Sequence, residues 1–367
     1  MQIIKKIDKP FLFSIIILVG AGFFIFSSAS LGLLVRNDSR FTAIAFNQLF
    51  FGVVLGSIAC LITSFIPYKF WKKVSLIAFA ASLALTALVF VPGIGWSHGG
   101  AYRWVTIAGI NFQPSEILKI GYIFYLAAVL SKNREKIGMF RYGAMPFIAI
   151  TALAALVILP EPDNDTFFMI ALAGLIMYFA AGARKRDIAI FIVTGIIGFA
   201  AVIAFWPYAR DRVATFLDPK KDPLTSGYQI QQSLIAIGSG GVLGKGFGQS
   251  TQKYNFLPEP IGDSIFAVFG EEFGFLGSIA IITLFLFFAL RGMKIAARAP
   301  DEFGRLVALG IVILIVAGSF MNIAAMLGII PLTGTPLIFV SQGGTALFIA
   351  LAEVGIVLNI SKYRNSK

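Results

Sequence analysis

The residues of this chain that could do chemistry are carboxylates and cations standing where the surrounding sequence is apolar. Glu116 and Lys119 are three residues apart, hence on one helical face, in an apolar run that opens at Pro114. Charges inside such a run are costly and mark function by default. This pair could neutralise itself as a packing ion pair, or it could line a substrate cavity. Glu271 and Glu272 are adjacent, so on a helix they point about 100° apart. At least one must face a polar interior, and without a partner a buried acid takes up a proton. Glu353 poses the same problem further along and is read as structural. Asp263 follows Pro258-Glu259-Pro260 and Gly262, where a polar stretch meets an apolar run. Two roles fit it: a general base or metal ligand at the boundary with water, or a helix N-cap. His98 is the only histidine and Cys60 the only cysteine, which argues against a zinc site and leaves no disulfide framework.

The elements that must hold these groups are of one kind. Hydrophobic residues make up 58% of the 367 and charged residues 13%, with a mean hydropathy of +0.86. No soluble fold of this length could hide so much apolar surface. Several runs exceed the roughly 18 apolar residues of a membrane-crossing helix. Spans are predicted near 11–31, 44–66, 74–92, 114–131, 143–160, 166–182, 188–207, 264–290, 306–330 and 336–361. The expected fold is therefore an all-α membrane protein of about ten transmembrane helices. No small-residue cleavage site follows the first run, so a removable signal peptide is not expected. The net charge of +12 could point to nucleic acid, but its distribution does not. With a cytoplasmic N-terminus, inside segments hold 20 of the 30 basic residues, from Lys5 and Lys6 at the start to Arg364 and Lys367 at the end. That is the positive-inside pattern; it predicts N-in, C-in topology and no nucleic-acid partner. The soluble parts are too small to fold alone, so 1–367 is expected to be a single transmembrane domain.

Three predicted outer segments depart from plain connectors. Residues 92–113 are rich in glycine and aromatics. Residues 208–263 form a loop between helices 7 and 8, too long for a connector. Gly328 to Gly344 break the join of the last two spans with glycines and prolines. Within the long loop, YQIQQSLIAIG (228–238) has the spacing of an amphipathic helix lying in the membrane interface. The following GSGGVLGKGFGQS (238–250) lacks the preceding strand and the Ser or Thr of a phosphate loop. It is left as either a close approach to an anionic lipid headgroup or a tightly turned connector. No repeat with a period of 20–50 residues is evident.

Four stretches together carry a family resemblance. They are AYRWVTIAGINFQPSEILK (101–119), FLDPKKDPLTSGYQIQQSLIAIGSGGVLGKGFGQSTQK (216–253), YNFLPEPIGDSIFAVFGEEFGF (254–275) and GIIPLTGTPLIFVSQGG (328–344). The chain resembles the SEDS (shape, elongation, division and sporulation) family over essentially all ten spans. GIVLNIS (355–361) and the LPEP form lean toward its division-type rather than its elongation-type members. The resemblance implies a SEDS-type bundle in the bacterial cytoplasmic (inner) membrane. It implies a glycosyltransferase that polymerises lipid II into peptidoglycan strands on the outer face, by inverting transfer, during division. It also implies a class B penicillin-binding protein as crosslinking partner, among other divisome proteins. Asp263 matches the family's essential aspartate, Arg103 and Trp104 its Arg-Trp, Glu116 and Lys119 its PSE-x-x-K charges, and Glu271 with Glu272 its Glu-Glu pair. Two stretches depart from the pattern: Ile261-Gly262-Asp263-Ser264 replaces His-Thr-Asp-Phe, and Ser341-Gln342-Gly343-Gly344-Thr345 replaces Ser-Tyr-Gly-Gly-Ser.

Glycosyl transfer from a lipid diphosphate needs a base for the acceptor hydroxyl and positive charge for the departing diphosphate. Asp263 is assigned as that base. Arg103, Lys119, Arg210, Arg212, Lys245 and Lys253 are the outer cations available for the diphosphate. Trp104, Glu116, Gln232, Glu271, Glu272 and Ser341 complete the expected substrate-binding set. A divalent cation, Mg or Mn, could share the charge, although no ligand cluster of readable spacing demands one. The rival readings are a lipid II flippase or transporter, an elongation-type polymerase, and a non-catalytic scaffold. A transporter would be expected to show inverted repeats and helices broken near the midplane.

Overall fold

A computed structural model describes residues 7–35, 41–98, 101–107, 110–161, 163–222 and 225–363. Lys5, Lys6, Arg364 and Lys367 lie outside these described residues. The helices run α1 Lys9–Val35, α2 Phe41–Phe46, a π-helical stretch Asn47–Leu55, α3 Gly56–Phe65 and α4 Lys69–Ala87. A small antiparallel sheet follows, β1 Gly95–His98, β2 Ala101–Ile107 and β3 Ile110–Phe112, in the order β1-β2-β3. Then come α5 Pro114–Lys132, α6 Ala144–Ile158, α7 Asn164–Ala180 and α8 Lys185–Phe205. The long loop folds into α9 Pro207–Leu217, α10 Ser226–Ser239 and α11 Gln252–Asn255, and α12 Ile265–Ala297, α13 Glu302–Met326 and α14 Gly344–Lys362 complete the chain.

Among the described residues, eight helical segments are long and apolar enough to cross a membrane. Two of the predicted spans, α6 and α7, are apolar but shorter, at 15 and 17 residues. The protein is a multi-pass membrane protein built on helices, and the one exception to the all-α expectation is the sheet. Glycine and alternating aromatics (GWSH, AYRWVTI) make that segment extended. The tenth span also differs from expectation. It starts at Gly344, not 336, because Pro331 and Pro336 interrupt helix formation and Gly343 takes a φ of +159°. The irregular segment 327–343 instead bonds to the Ile261 and Gly262 carbonyls just before α12 and to the side chains of Gln48, Asp165 and Asn322.

The bundle is unevenly packed. α13 and α14 form its centre, with α14 along α3 and the π-helical stretch, and α12 along α13. Small residues permit the close contacts: a Cβ on Gly22 would come within 2.0 Å of the Phe339 carbonyl oxygen. By contrast α8 buries none of its residues. The expected interface helix is real but does not lie alone. α10 packs on α12, with Ile237 against Gly270, buries Ile230, Ser233 and Ala236, and leaves Leu234 and Ile235 exposed.

Candidate active site

Asp263 sits one residue before the N-cap position of α12, which Ser264 occupies. Its carboxylate does not cap the helix; it faces open space, so the cap alternative is not the one realised. The backbone around it is held from several sides. The Asn322 side-chain amide of α13 donates to the Asp263 carbonyl at 2.8 Å and to the Thr335 carbonyl at 2.9 Å. Ser341 Oγ donates to the Gly262 carbonyl at 2.8 Å, and the Gln342 amide to the Ile261 carbonyl at 2.7 Å. Gln48, at the start of the π-helical stretch, donates to the Ser341 carbonyl and accepts from the Gly343 amide. Irregular helical turns of this kind recur at functional sites. Among the described residues, the non-glycine residues with positive φ are Glu259 (+44°) and Phe339 (+71°), one in each of the two joined segments. Both carry backbone strain of the kind held in place only by surrounding structure.

Three charged groups converge on Gly334. A methyl added there would stand 4.0 Å from Arg103 Nη1, from Arg212 Nη2 and from Asp263 Oδ2. Arg103 comes from β2, Arg212 from α9 and Asp263 from the α12 junction. Arg212 also pairs with Asp165 at 2.9 Å, and Asp165 accepts from the Gly334 amide at 3.2 Å. Arg103 Nε donates to the Glu161 carbonyl at 3.3 Å. Burial, reinforced by the Glu259 and Asp165 carboxylates, pushes the Asp263 carboxyl up to about 7, against the pull of Arg212 and Arg103. Burial likewise pushes Glu161 up to about 9, and both its oxygens lack a hydrogen-bond partner. Asp163 is also raised, first by burial; it caps α7 through the Thr166 amide and accepts from Gln113 at 2.8 Å.

Beneath this group lies a cavity of about 530 Å³ reaching from Trp96, Arg103 and Trp104 past Glu116 and Lys119 to Glu353. Lys119 and Glu116 are 2.7 Å apart on its wall. Glu353, read from sequence as a structural group, thus reaches the cavity floor. Its sides are apolar, with Ile44, Leu314, Ile315, Ile338 and Leu347 among them. Of the predicted set, Asp263, Arg103, Trp104, Glu116, Lys119 and Ser341 line this space, while Arg212 lines a second cavity on the other side of Asp263.

The remaining predicted residues do not join them. Lys245 pairs with Glu271 at 2.6 Å, and Lys253 with Glu272 at 2.7 Å, in a separate cluster. Glu271 also accepts from the hydroxyls of Ser250 and Thr251 and from the amides of Thr251 and Gln252. Ser28 of α1 donates to Glu272 at 2.6 Å, and Lys253 is fully buried. The two lysines are thus counter-ions to the two glutamates, and burial of the carboxylates is the reason. The glycine-rich stretch serves the same clasp. Gly244 and Gly274 have φ of +82° and +64° and cross so closely that a Cβ on Gly274 would be 2.4 Å from the Gly244 nitrogen. Neither residue could carry a side chain there. Gln232 lines neither cavity; its neighbour Gln229 does, and also donates to Ser264 Oγ at 3.0 Å. Arg210 turns back to the Ala204 carbonyl. Among the described residues no group of three or more His, Cys, Asp or Glu side chains is arranged to hold a metal.

Asp165, Glu161 and Glu259 escaped sequence reasoning, yet a signal was there. LPEPDND (159–165) and LPEPIGD (257–263) share the pattern LPEP-x-x-D, and their terminal aspartates flank Gly334 from two sides.

Residues 9–366 match the family model described as the FtsW, RodA and SpoVE cell cycle protein. The stage V sporulation protein E of Bacillus subtilis is 39% identical over 327 residues, 89% of this chain and 88% of that protein. A probable peptidoglycan glycosyltransferase FtsW of Geobacter metallireducens is 38% identical over 308 residues, 84% of this chain and 82% of the relative. The FtsW relative of Trichlorobacter lovleyi is 37% identical and covers 98% of this chain and 94% of its own length. Among solved structures, a chain of a peptidoglycan synthase complex that coordinates polymerization and crosslinking superposes with a TM-score of 0.80 at 25% identity, covering 98% of this chain and 99% of its own. The rod shape-determining protein RodA of Thermus thermophilus superposes with a TM-score of 0.69 at 24% identity, covering 98% of both chains.

Proposed function

The chain belongs to the FtsW, RodA and SpoVE family of cell cycle proteins, and from that premise we propose that it is a peptidoglycan glycosyltransferase. It polymerises lipid II into glycan strands on the outer face of the bacterial cytoplasmic membrane during cell division. The relatives named FtsW support the activity and the division setting. The observation that carries the reading is the Asp263 carboxylate, raised to about 7, converging with the Arg103 and Arg212 guanidiniums on Gly334 and lining a largely apolar-walled, cation-bearing cavity.

The chemistry runs as a displacement with inversion. Asp263 accepts the proton of the acceptor hydroxyl as its oxygen forms a bond to the anomeric carbon of the donor sugar. The bond from that carbon to the phosphate oxygen breaks, and the prenyl diphosphate leaves with the electron pair. Arg103 and Lys119 take up the charge that develops on it, and Arg212 helps hold the outer side of the site. A base with a pKa near the working pH combines availability with driving force, a contribution of about 10²–10⁴ in rate. The apolar cavity walls suit the prenyl tail. A single-span class B penicillin-binding protein is the proposed crosslinking partner, in keeping with the synthase complex that this fold resembles.

The test is a lipid II polymerisation assay on the purified full chain, with and without that partner, comparing the native protein with Asp263→Asn. Polymer made by the native chain and lost in the variant is expected. Equal polymer from both would overturn the assignment of Asp263. Headgroup translocation in liposomes with no polymer under any condition would overturn the polymerase reading itself.

A further inference from the structure

A second cavity, also of about 530 Å³, opens on the other side of Asp263, between α9, the start of α10 and the segment around Leu332 to Gly334. It shares only Asp263 and Gly334 with the first. The chemistry of the two linings is different in kind. The first has two cations, Arg103 and Lys119, a long apolar wall, and the carboxylates of Glu116, Asp163, Glu259, Asp263 and Glu353. The second has hydroxyls from Thr215, Thr225, Ser226 and Thr333, the amide of Gln229, and carboxylates from Asp211 and Asp222. Its one cation, Arg212, is already turned to Asp165 at 2.9 Å, and its apolar contribution is Ala214 and Leu332.

We propose that this second cavity is a saccharide subsite, which holds the hydroxyl-bearing sugars of the lipid-linked substrate while the first cavity holds the prenyl diphosphate. The assignment rests on the polymerase reading above and deepens it. Both linings carry more carboxylates than cations, so charge alone does not sort them; the prenyl chain is tethered to its diphosphate, however, and of the two cavities the first joins an apolar wall to two cations. A prenyl chain would find only the Ala214 and Leu332 side chains as apolar partners in the second cavity, against the long apolar wall of the first. A neutral polyol meets what it needs: hydroxyls and an amide that both donate and accept, and carboxylates that accept two hydrogen bonds each. Asp263 lies on the wall the two cavities share, so a sugar seated in one and a diphosphate in the other put the bond between them at the carboxylate.

The experiment is a double dissociation on the full chain in nanodiscs, with two probes: a soluble, uncharged oligomer of N-acetylglucosamine, and farnesyl diphosphate. Thr215→Trp fills the second cavity from α9, and Gln229→Leu is a milder change to its lining. Each is expected to weaken glycan-oligomer binding, by about tenfold or more for Thr215→Trp, with farnesyl diphosphate binding unchanged; polymer yield from lipid II falls in parallel. Lys119→Met is expected to do the reverse to the two probes. Retained farnesyl diphosphate binding also reports that each variant is folded. Glycan binding that survives both Thr215→Trp and Gln229→Leu, or loss of both probes in both variants, overturns the assignment, as does a native chain that makes polymer but never binds the oligomer. A native chain that binds the oligomer yet makes no polymer would leave the subsite standing and sink the polymerase reading instead.

Discussion

Two acidic centres lie within ten residues of each other, and they are built on opposite principles. Around Glu271 and Glu272 every carboxylate oxygen has donors: two lysines, four hydroxyls and three backbone amides. Around Asp263 the acids outnumber their donors. Among the described residues Glu161 has none for its side chain, and Asp263 lines two cavities with the guanidiniums of Arg103 and Arg212 near it. Donors that saturate a carboxylate occupy its lone pairs and leave none for a substrate proton. An undersupplied one is held near its titration point, where proton transfer is easy. Proximity in sequence and identical chemistry thus yield a clasp in one place and a proton acceptor in the other; the supply of donors makes the difference.

Removing the key group of each centre should separate them most sharply. Asp263→Asn keeps the shape and removes the base, so polymerisation should fall by about 10²–10⁴, with the melting temperature no lower than that of the native chain. Glu272→Gln should do the opposite. It leaves the fully buried Lys253 ammonium without its counter-ion, a loss of about 3–5 kcal/mol for a broken buried pair. The melting temperature should drop while activity per folded molecule stays near native, and replacing both partners, Lys253→Met with Glu272→Leu, should recover most of the stability. Loss of turnover without loss of stability in Glu272→Gln would show that the clasp belongs to the chemistry after all.

A smaller change probes the open centre alone. Gly334→Ala meets no atom closer than 4.0 Å, so folding should be unaffected. The methyl nevertheless stands among the three charged groups where substrate must pass, and kcat/KM in the polymerisation assay should fall about tenfold, roughly 1.4 kcal/mol of transition-state binding.

The contrast between the centres also explains what was readable from sequence. Hydropathy periodicity found the spans because a membrane forces every long apolar run into a helix. It found the intramembrane charges for the same reason. Which charges share a site was not readable, because that depends on how the long outer segment folds back. Lys245 and Lys253 read as outer cations free for phosphate, yet the backbone crossing at Gly244 and Gly274 turns them onto Glu271 and Glu272. Gln232 and Gln229 lie on one short helix, and only packing on α12 decides that Gln229 faces the cavity. Conversely, the doubled LPEP-x-x-D pattern carried real information about Asp165, while the glycine- and aromatic-rich stretch before α5, read only as more than a plain connector, folds into the sheet that delivers Arg103.

The pH dependence is the gentlest way to test whether Asp263 is undersupplied. Its carboxyl is pushed from an ordinary 3.8 up to about 7, and only the deprotonated form can accept the hydroxyl proton. Turnover should therefore rise through pH 7 and gain about tenfold between pH 6 and pH 8. Stability should move the other way. Between 3.8 and about 7 the folded state holds a proton that the unfolded state has lost, so this group's contribution makes folding less favourable as pH rises across that window and is constant above it. Glu259 is the first charged neighbour raising the carboxyl, and Arg212 the first lowering it. Glu259→Gln should shift the midpoint of the rate profile downward, and Arg212→Gln should shift it upward, each read from kcat/KM against pH with lipid II. A profile flat across pH 7 in the native chain, or midpoints that ignore both substitutions, would place Asp263 with the quenched glutamates.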